Sequence, residues 1–171
     1  MTEEEFRKLV EIKVATGSSF VGAVYQAMDE AAAEEDQSKW ACHKGCSACC
    51  YQMVHVTEGE TTEIINYLND LNRTRRKRIM KRVWKKIDSY WKWFQRMGGT
   101  GNQQLADDLW VRAQWDGKPC TFLNNSGACS IHKVRPFDCR STYSTVVCNV
   151  PEYRISDGQR LPYQYEAWAN K

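Results

Sequence analysis

Apolar residues recur at helical spacing in the first third of the chain. Thr2 and Glu5 have the spacing of a capping box, and the apolar residues that follow predict an amphipathic helix over residues 3–15. Ser19 stands where it can cap a second helix. The apolar residues of this second run lie on one helical face: Phe20, Val24, Ala27, Met28 and Ala31. The run ends in the acidic segment 34–36. We interpret its apolar face as part of an ordinary hydrophobic core.

In the next stretch of the chain, the spacing of apolar residues changes from alternating to helical. Residues 53–56 alternate like a short strand or an extended entry. Thr57 and Glu60 then form a second capping box, which opens a helix. The apolar face of that helix contains Ile64, Ile65, Leu68 and Leu71. Residues 73–96 give the strongest amphipathic pattern in the chain. The predicted apolar side of this long helix consists of Ile79, Val83, Ile87, Tyr90, Trp91 and Phe94.

Glycine and asparagine mark the breaks in the second half of the chain. Residues 97–102 predict a flexible break, and residues 103–114 predict another short helix. The turn-forming tetrad 124–127 predicts a small β-hairpin or tight loop. A short terminal helix is expected over residues 163–169. The pattern as a whole predicts a mainly α fold, with one helical domain over residues 1–171 and a small β-hairpin.

Charge is distributed unevenly along the chain. Segment 73–96 carries eleven Lys or Arg and one acid, Asp88, whereas the formal charge of the whole chain is only +3. This segment can be an ordinary surface helix with solvated charges. It can also contact nucleic acid, with Lys81, Arg82 and Lys85 neutralising phosphates, or dock on an acidic protein or an anionic membrane surface. The tryptophans that could stack on bases are Trp84, Trp91 and Trp93.

No segment has the composition of a membrane-spanning or export sequence. Apolar runs fall short of the roughly 20 residues that a bilayer-spanning helix needs, so no transmembrane segment is expected. Met1 is followed by acidic residues rather than by the apolar core of a signal peptide. We therefore expect a cytoplasmic protein, in a compartment where thiols are kept reduced.

Eight cysteines form two groups that lie far apart in the sequence. The first group comprises Cys42, Cys46, Cys49 and Cys50. The second group comprises Cys120, Cys129, Cys139 and Cys148. Thiolates are soft ligands for zinc, iron–sulfur clusters and monovalent copper, and short spacings let neighbouring sulfurs converge on one metal. Disulfides and inert buried thiols are the competing interpretations, but a reducing compartment favours a cysteine-ligated metal centre surrounded by loops.

The number of thiolates leaves the kind of metal open. Four suffice for a tetrahedral Zn²⁺ site or for a four-iron four-sulfur cluster, and eight allow two sites. Because the groups lie about seventy residues apart and converge only after folding, we favour an iron–sulfur cluster. The predicted ligands of the first site are Cys46, Cys49, Cys129 and Cys139. The predicted ligands of a second site are Cys42, Cys50, Cys120 and Cys148.

Histidines and arginines near the cysteines are further candidates. The non-thiolate candidates for ligation are His43, His55 and His132. A lone histidine is more often a surface or core residue than a ligand. Arg135 and Arg140 could donate hydrogen bonds to a thiolate or a cluster sulfur and so tune its charge. An ordinary salt bridge with Asp138 or Glu152 is the alternative for these arginines.

Taken together, the motifs resemble a known family. They are Cys42-x3-Cys46-x2-Cys49-Cys50, the helix opening Thr57–Glu60, Pro119-Cys120-x-Phe122-Leu123, Gly127-x-Cys129-x-Ile131 and Arg135-Pro136-x-x-Cys139-Arg140. On these motifs, residues 42–148 resemble the zinc- or iron-chelating cysteine-cluster family, the YkgJ-like group. The resemblance implies a cysteine-rich metal or iron–sulfur site in this part of the chain. Thr121 and His132 depart from the usual Pro and Tyr of the family without removing a thiolate.

Three functions follow from these observations. The resemblance implies a metal-binding protein with a cysteine-ligated centre, which is our working prediction, with no activity assigned. A related cysteine-cluster domain occurs in flagellin lysine methylases, so a metal-dependent enzyme of methyl-transfer or redox type is an alternative by analogy. A zinc-stabilised module that binds nucleic acid through the basic helix is the other alternative. The sequence shows no paired catalytic carboxylates at a telling spacing and no Ser-His-Asp constellation.

Overall fold

The structure of the protein is a computed structural model that describes residues 1–43, 45–96, 115, 117–144 and 147–148. Within these residues the fold is mainly helical, as predicted, and five α-helices have defined bounds. They are α1 (Glu3–Ala15), α2 (Phe20–Glu34), α3 (Glu58–Asp70), α4 (Arg73–Arg96) and α5 (Phe137–Arg140). Short 3₁₀ helices span Gln37–Lys39, Ala48–Tyr51 and His132–Val134. The predicted break at 97–102 and the predicted helices over 103–114 and 163–169 lie outside the described residues.

Side-chain caps define the starts of the first three helices. Thr2 Oγ1 accepts the Glu5 N–H at 3.2 Å, and the Glu5 carboxylate accepts the Thr2 N–H at 2.7 Å. Thr57 and Glu60 repeat this reciprocal arrangement at the start of α3. Ser19 caps α2 through its hydroxyl. Each cap gives a partner to backbone N–H groups that the first helical turn leaves unpaired, and all three predicted caps are confirmed.

Helices α1 and α2 pack on each other around a first hydrophobic core. Its buried members are Phe6, Val10, Ala23, Val24, Tyr25, Ala27, Met28, Ala31 and Phe137. Three of these residues are alanines of α2 that are fully buried, which lets the neighbouring helices approach closely. Phe137 belongs to α5, and its ring meets that of Tyr25 edge to face at 5.1 Å. The first core therefore also anchors α5, which carries Cys139.

Helices α3 and α4 form a second core together with a loop from the second cysteine group. The buried members of this core are Ile64, Leu68, Ile79 and Ile131. Phe122 and Cys129 pack against it from the loop. A third cluster surrounds the C-terminal half of α4 and contains Trp93, Phe94 and Trp115, with Met53 and Tyr90 packed against them. The cysteine-bearing loop is thus held on the helices by apolar contacts.

The orientation of α4 differs in part from the sequence prediction. Ile87 and Trp91 were expected on the buried side of α4, but their side chains are 38% and 47% exposed. Trp93 is buried instead, and its ring centroid lies 5.9 Å from that of Trp115. The face of α4 that packs on the protein also contains long basic side chains. The spacing of apolar residues alone therefore predicted the wrong centre for the buried face. Neither α4 nor any other helix in the described part of the chain has the length and apolarity needed to cross a membrane.

Neither segment predicted as extended forms a strand within the described residues. Residues 53–56 lead into α3 without joining a sheet. At the tetrad 124–127, an isolated antiparallel bridge joins Leu123 and Cys129. The predicted β-hairpin is therefore not formed as a pair of strands. The tetrad is a tight loop that side-chain hydrogen bonds to Asn124 close.

Candidate metal centre

The first cysteine group lies on a turn followed by a 3₁₀ helix. Gly45 has a φ of +95°, a left-handed conformation that other residues rarely adopt, and it turns the chain ahead of Cys46. The Cys46 N–H donates to the His43 carbonyl at 2.9 Å. The Cys50 N–H donates to the Ser47 carbonyl, also at 2.9 Å. The local sequence therefore coils this group tightly instead of leaving it as an extended run.

Asn124 closes the loop that carries Cys120 and Cys129. Its side-chain oxygen accepts the N–H groups of Ser126 and Ala128, each at 2.9 Å. Its own N–H donates to the Ala128 carbonyl at 2.9 Å. This use of the side chain as a turn acceptor is typical of asparagine. As a result, two cysteines nine residues apart in the sequence belong to one compact loop.

A backbone hydrogen bond joins the two cysteine groups, although 70 residues separate Cys50 from Cys120. The Cys120 N–H donates to the Cys50 carbonyl at 2.7 Å. Gly127 approaches the other end of the first group, where a Cβ at this position would lie 3.6 Å from the Gly45 carbonyl oxygen. The fold therefore brings the two groups together, as the sequence predicts.

A buried carboxylate holds the helix that carries Cys139. The Glu60 side chain, whose residue is 2% exposed, caps α3 and also accepts the Phe137 N–H at 2.6 Å. The carboxylate of Asp138 accepts the His55 N–H at 3.1 Å. Helix α5 is thus tied at two points to the segment after the first cysteine group. The sequence identified Glu60 only as a cap, and no local signal reveals its bond to a residue 77 positions away.

Four thiols drawn from both groups lie close enough to affect one another's pKa. They are Cys49, Cys120, Cys129 and Cys139. Burial is the main reason that the pKa values of Cys120, Cys129 and Cys139 are raised. Repulsion between thiolates adds to these shifts, and every pair among the four contributes. A cation among the four would remove this repulsion and favour the thiolate forms.

Cys49 and Cys50 form a hydrogen-bonded pair within the first group. The Cys50 S–H donates to the Cys49 thiolate, which lowers the pKa of Cys49 to about 7, and the nearby charge of Arg135 acts in the same direction. The same hydrogen bond raises the pKa of Cys50. Because metals bind the thiolate and not the thiol, Cys49 is well prepared to ligate at neutral pH.

Cys50 also lies among the four thiols, because the charges of Cys120 and Cys129 raise its pKa further. Cys42, Cys46 and Cys148 form a second neighbourhood. The pKa of Cys42 is raised mainly by burial, and the charges of Cys46, Cys49 and Cys148 raise it further. The Ser144 N–H donates to Cys42 Sγ at 3.3 Å. No disulfide joins any of the eight cysteines. Cys49 therefore lies between the two neighbourhoods.

Arg135 faces the four thiols. Its charge lowers the pKa of Cys49, and its Nη1 lies 3.2 Å from His132 Nε2. Its buried Nε has no hydrogen-bond partner in the part of the chain that the structure describes. Leaving a buried donor unpaired is costly, and a metal-bound sulfur is an acceptor that would satisfy it. That Arg135 tunes the charge of a sulfur stays a prediction.

The guanidinium of Arg140 is used elsewhere. Its Nε donates to the Arg135 carbonyl at 3.0 Å, and its Nη1 donates to the Asp29 carboxylate at 2.6 Å. Its Nη2 donates to the Lys133 carbonyl, and the group lies 4.2 Å from the centre of the Tyr25 ring. Arg140 is 3% exposed and none of these partners is a sulfur. Arg140 therefore forms a salt bridge, but its partner is Asp29 on α2 and not the expected Asp138, because α5 docks against α2.

The three candidate histidines lie at the edge of the cysteine groups. His43 is exposed, and its Nδ1 lies 3.1 Å from the Ala41 carbonyl oxygen. His55 is exposed as well. Burial and the charge of Arg135 lower the pKa of His132. Among the residues that the structure describes, no three or more His, Cys, Asp or Glu side chains converge as a ready metal-holding group. The thiols are therefore neighbours whose sulfurs must move together to share a metal.

One side of the basic helix binds the second cysteine loop. Arg82 Nε donates to the Thr121 carbonyl at 3.0 Å, and its Nη2 donates to the Ser130 hydroxyl at 3.0 Å. Arg82 was expected to contact a phosphate, but these bonds engage it within the chain. Lys81 and Lys85, the other two predicted contacts, are exposed. The basic helix therefore has a structural side and a free side.

Replacing Arg82 by leucine should loosen the cysteine loop. The Arg82→Leu variant loses both hydrogen bonds, which contribute about 1 kcal/mol each, so we expect its free energy of unfolding to fall by about 2 kcal/mol. Urea denaturation followed by circular dichroism measures this change. Lys81→Leu, one residue away on the exposed side, is the matched control and should change the free energy by less than about 0.5 kcal/mol. Equal losses in the two variants would contradict the structural role of Arg82.

The fold and the site together define a helical protein in which two distant segments bring half-buried thiols into one neighbourhood. Soft donors in this arrangement are typical of cysteine-ligated metal domains. A family model agrees: the CxxCxxCC family, described as a putative zinc- or iron-chelating domain, matches residues 41–161. The match covers more than half of the chain, and the chain belongs to this family. Comparisons with curated proteins and with solved structures give no significant match.

Proposed function

We propose that the protein binds a metal centre through cysteine thiolates drawn from both groups. The observation that carries this proposal is the mutual proximity of four half-buried thiols. Because thiolates this close repel one another, the arrangement favours a cation that joins them. Membership of a zinc- or iron-chelating family supports the same conclusion.

We assign the primary centre to the four thiols whose pKa values are mutually affected. They are Cys49, Cys120, Cys129 and Cys139. This set differs from the sequence-based set by one residue, since Cys120 interacts with the other three and Cys46 is a neighbour of Cys42. Four thiolates complete a tetrahedral zinc site or hold a four-iron four-sulfur cluster. Cys50 is an additional thiol beside this centre, since it interacts with Cys49, Cys120 and Cys129. Cys42, Cys46 and Cys148 supply a second site or further thiols.

An iron–sulfur cluster is our preferred occupant over Zn²⁺. The thiols come from segments about seventy residues apart, whereas the paired thiolates of zinc knuckles usually come from nearer in the sequence. The unpaired Nε of Arg135 adds support, because hydrogen bonds to cluster sulfurs are a common means of setting the reduction potential. We propose binding of the metal and assign no reaction to the centre.

Metal analysis of the protein purified without oxygen tests this proposal. We expect a brown protein with about four irons per chain and a matching amount of acid-labile sulfide. Elemental analysis and an absorption spectrum of the same sample measure both. A colourless protein that carries zinc would contradict the cluster but retain the thiolate centre. A protein that binds neither zinc nor iron after reconstitution would contradict the centre itself.

A further inference from the structure

The outward face of α4 carries an apolar stripe that the metal centre does not use. Trp84 is 62% exposed, Ile87 is 38% exposed and Trp91 is 47% exposed. These positions are three and four residues apart, so their side chains lie in one line along the helix. Three large apolar side chains in a line on a surface mark an interaction site more often than isolated ones do.

A row of lysines runs beside this stripe. Lys77, Lys81 and Lys85 are all exposed, and each follows the previous one by four residues, which is about 6 Å along the helix axis. By helical geometry the row lies along one side of Trp84. Asp88 is the single acid of α4, and it pairs with Lys92 at 2.7 Å. It is therefore engaged with a lysine outside the row.

The rest of the chain that the structure describes does not neutralise this row. None of the ion pairs among the described residues involves Lys77, Lys81 or Lys85. The inward basic residues of α4 behave differently, since Arg82 and Arg75 donate to the second cysteine loop at Ser130. The free positive charge of α4 is thus confined to its outward face, next to the exposed tryptophans.

We propose that this face binds single-stranded nucleic acid, with the lysine row along the phosphates and Trp84 and Trp91 stacked on unpaired bases. Positive charge that follows a strand, combined with aromatic side chains that stack on bases, is the usual basis of sequence-tolerant single-strand binding. An acidic protein would need an apolar pocket for each tryptophan as well as carboxylates for the lysines, whereas every base offers a face for stacking. A membrane-bound helix presents a broad apolar face, whereas the exposed stripe of α4 consists of three large apolar side chains. The inference is independent of which metal the cysteines bind.

Fluorescence anisotropy with three short labelled DNAs of equal length tests this inference. The probes are a mixed-sequence single strand, the corresponding duplex and an abasic strand, each titrated with the metal-loaded full chain at low salt. We expect the single strand to bind most tightly and the abasic strand about a hundredfold more weakly, because it has phosphates but no bases for either tryptophan to stack on. Trp84→Ala should weaken binding of the intact strand about tenfold and leave binding of the abasic strand unchanged.

The lysine row is tested by its salt dependence. Lys81→Gln/Lys85→Gln should weaken binding of both single strands and reduce the slope of log affinity against log salt by about 1.4, which corresponds to two phosphates. Lys8→Gln/Lys39→Gln removes the same charge from exposed positions outside α4 and should leave affinity unchanged. Equal loss in the two double variants, or equal affinity of wild type for intact and abasic strands, overturns the proposal. Binding to anionic vesicles without binding to DNA would also overturn it and assign the face to a membrane surface.

Discussion

The Cys129→Ser/Cys139→Ser double variant is expected to lose its metal completely. Both residues belong to the four-thiol set, and each interacts with the other three thiols. Serine offers a neutral hydroxyl in place of a soft thiolate, so two of four ligands disappear. The metal content after anaerobic purification and gel filtration should fall from one full centre per chain to near zero. Because metal binding at such a site contributes to folding, the variant should also unfold at a lower temperature.

The matched control is Cys148→Ser, which changes a thiol in the second neighbourhood. This variant should keep the primary centre, since Cys148 is outside the four-thiol set and its charge acts on Cys42. Elemental analysis distinguishes the two cases directly. Full metal content in the double variant would contradict the assignment, and so would complete loss in the control with retention in the double variant.

Glu60→Ala is expected to lower the free energy of unfolding by about 4 kcal/mol. The carboxylate accepts the Phe137 N–H at 2.6 Å, the Thr57 N–H at 2.8 Å and the Thr57 hydroxyl at 2.9 Å. Removing it leaves two backbone donors unpaired, and each unpaired buried donor costs about 1–3 kcal/mol. Since Phe137 begins α5, the substitution also frees the segment that carries Cys139, and metal affinity should fall with stability.

Urea denaturation and metal titration of the same variant measure the two effects of Glu60. Glu58→Ala is the matched control, because Glu58 lies in the same first turn of α3 but is exposed. The free energy of unfolding of Glu58→Ala should fall by less than about 1 kcal/mol, the usual size of a helix-dipole contribution. If the two variants lost equal stability, the bond from Glu60 to α5 would not matter for folding.

The local parts of the fold were accessible from the sequence. Thr2, Ser19 and Thr57 cap helices where the sequence predicts caps, because capping depends on residues three positions apart. The predicted bounds of the basic helix, 73–96, agree with α4. The cysteine spacing likewise indicated a metal-binding family, since the residue types that can ligate a metal are read directly from the sequence.

The long-range parts were not accessible. Arg140 pairs with Asp29 from 111 positions away, and Glu60 bonds to α5 from 77 positions away. Charge and spacing do not identify such partners, because many carboxylates and many N–H groups are available to each side chain. The division of the thiols was limited in the same way. The spacing of Cys46 and Cys120 does not say which thiols each one meets, and only the folded chain places Cys120 with Cys49, Cys129 and Cys139.

The backbone bond between Cys50 and Cys120 closes a loop of 70 residues, and this has a consequence for the evolution of the domain. The entropy lost on closing a flexible loop grows only with the logarithm of its length, so ten extra residues add about 0.1 kcal/mol. Insertions between the two cysteine groups are therefore tolerated at little thermodynamic cost. Helix α4 occupies this interval, and its inward side holds the second cysteine loop through Ile79 and Arg82. Variation at little cost is therefore expected in the outward face of α4 and not in its inward side.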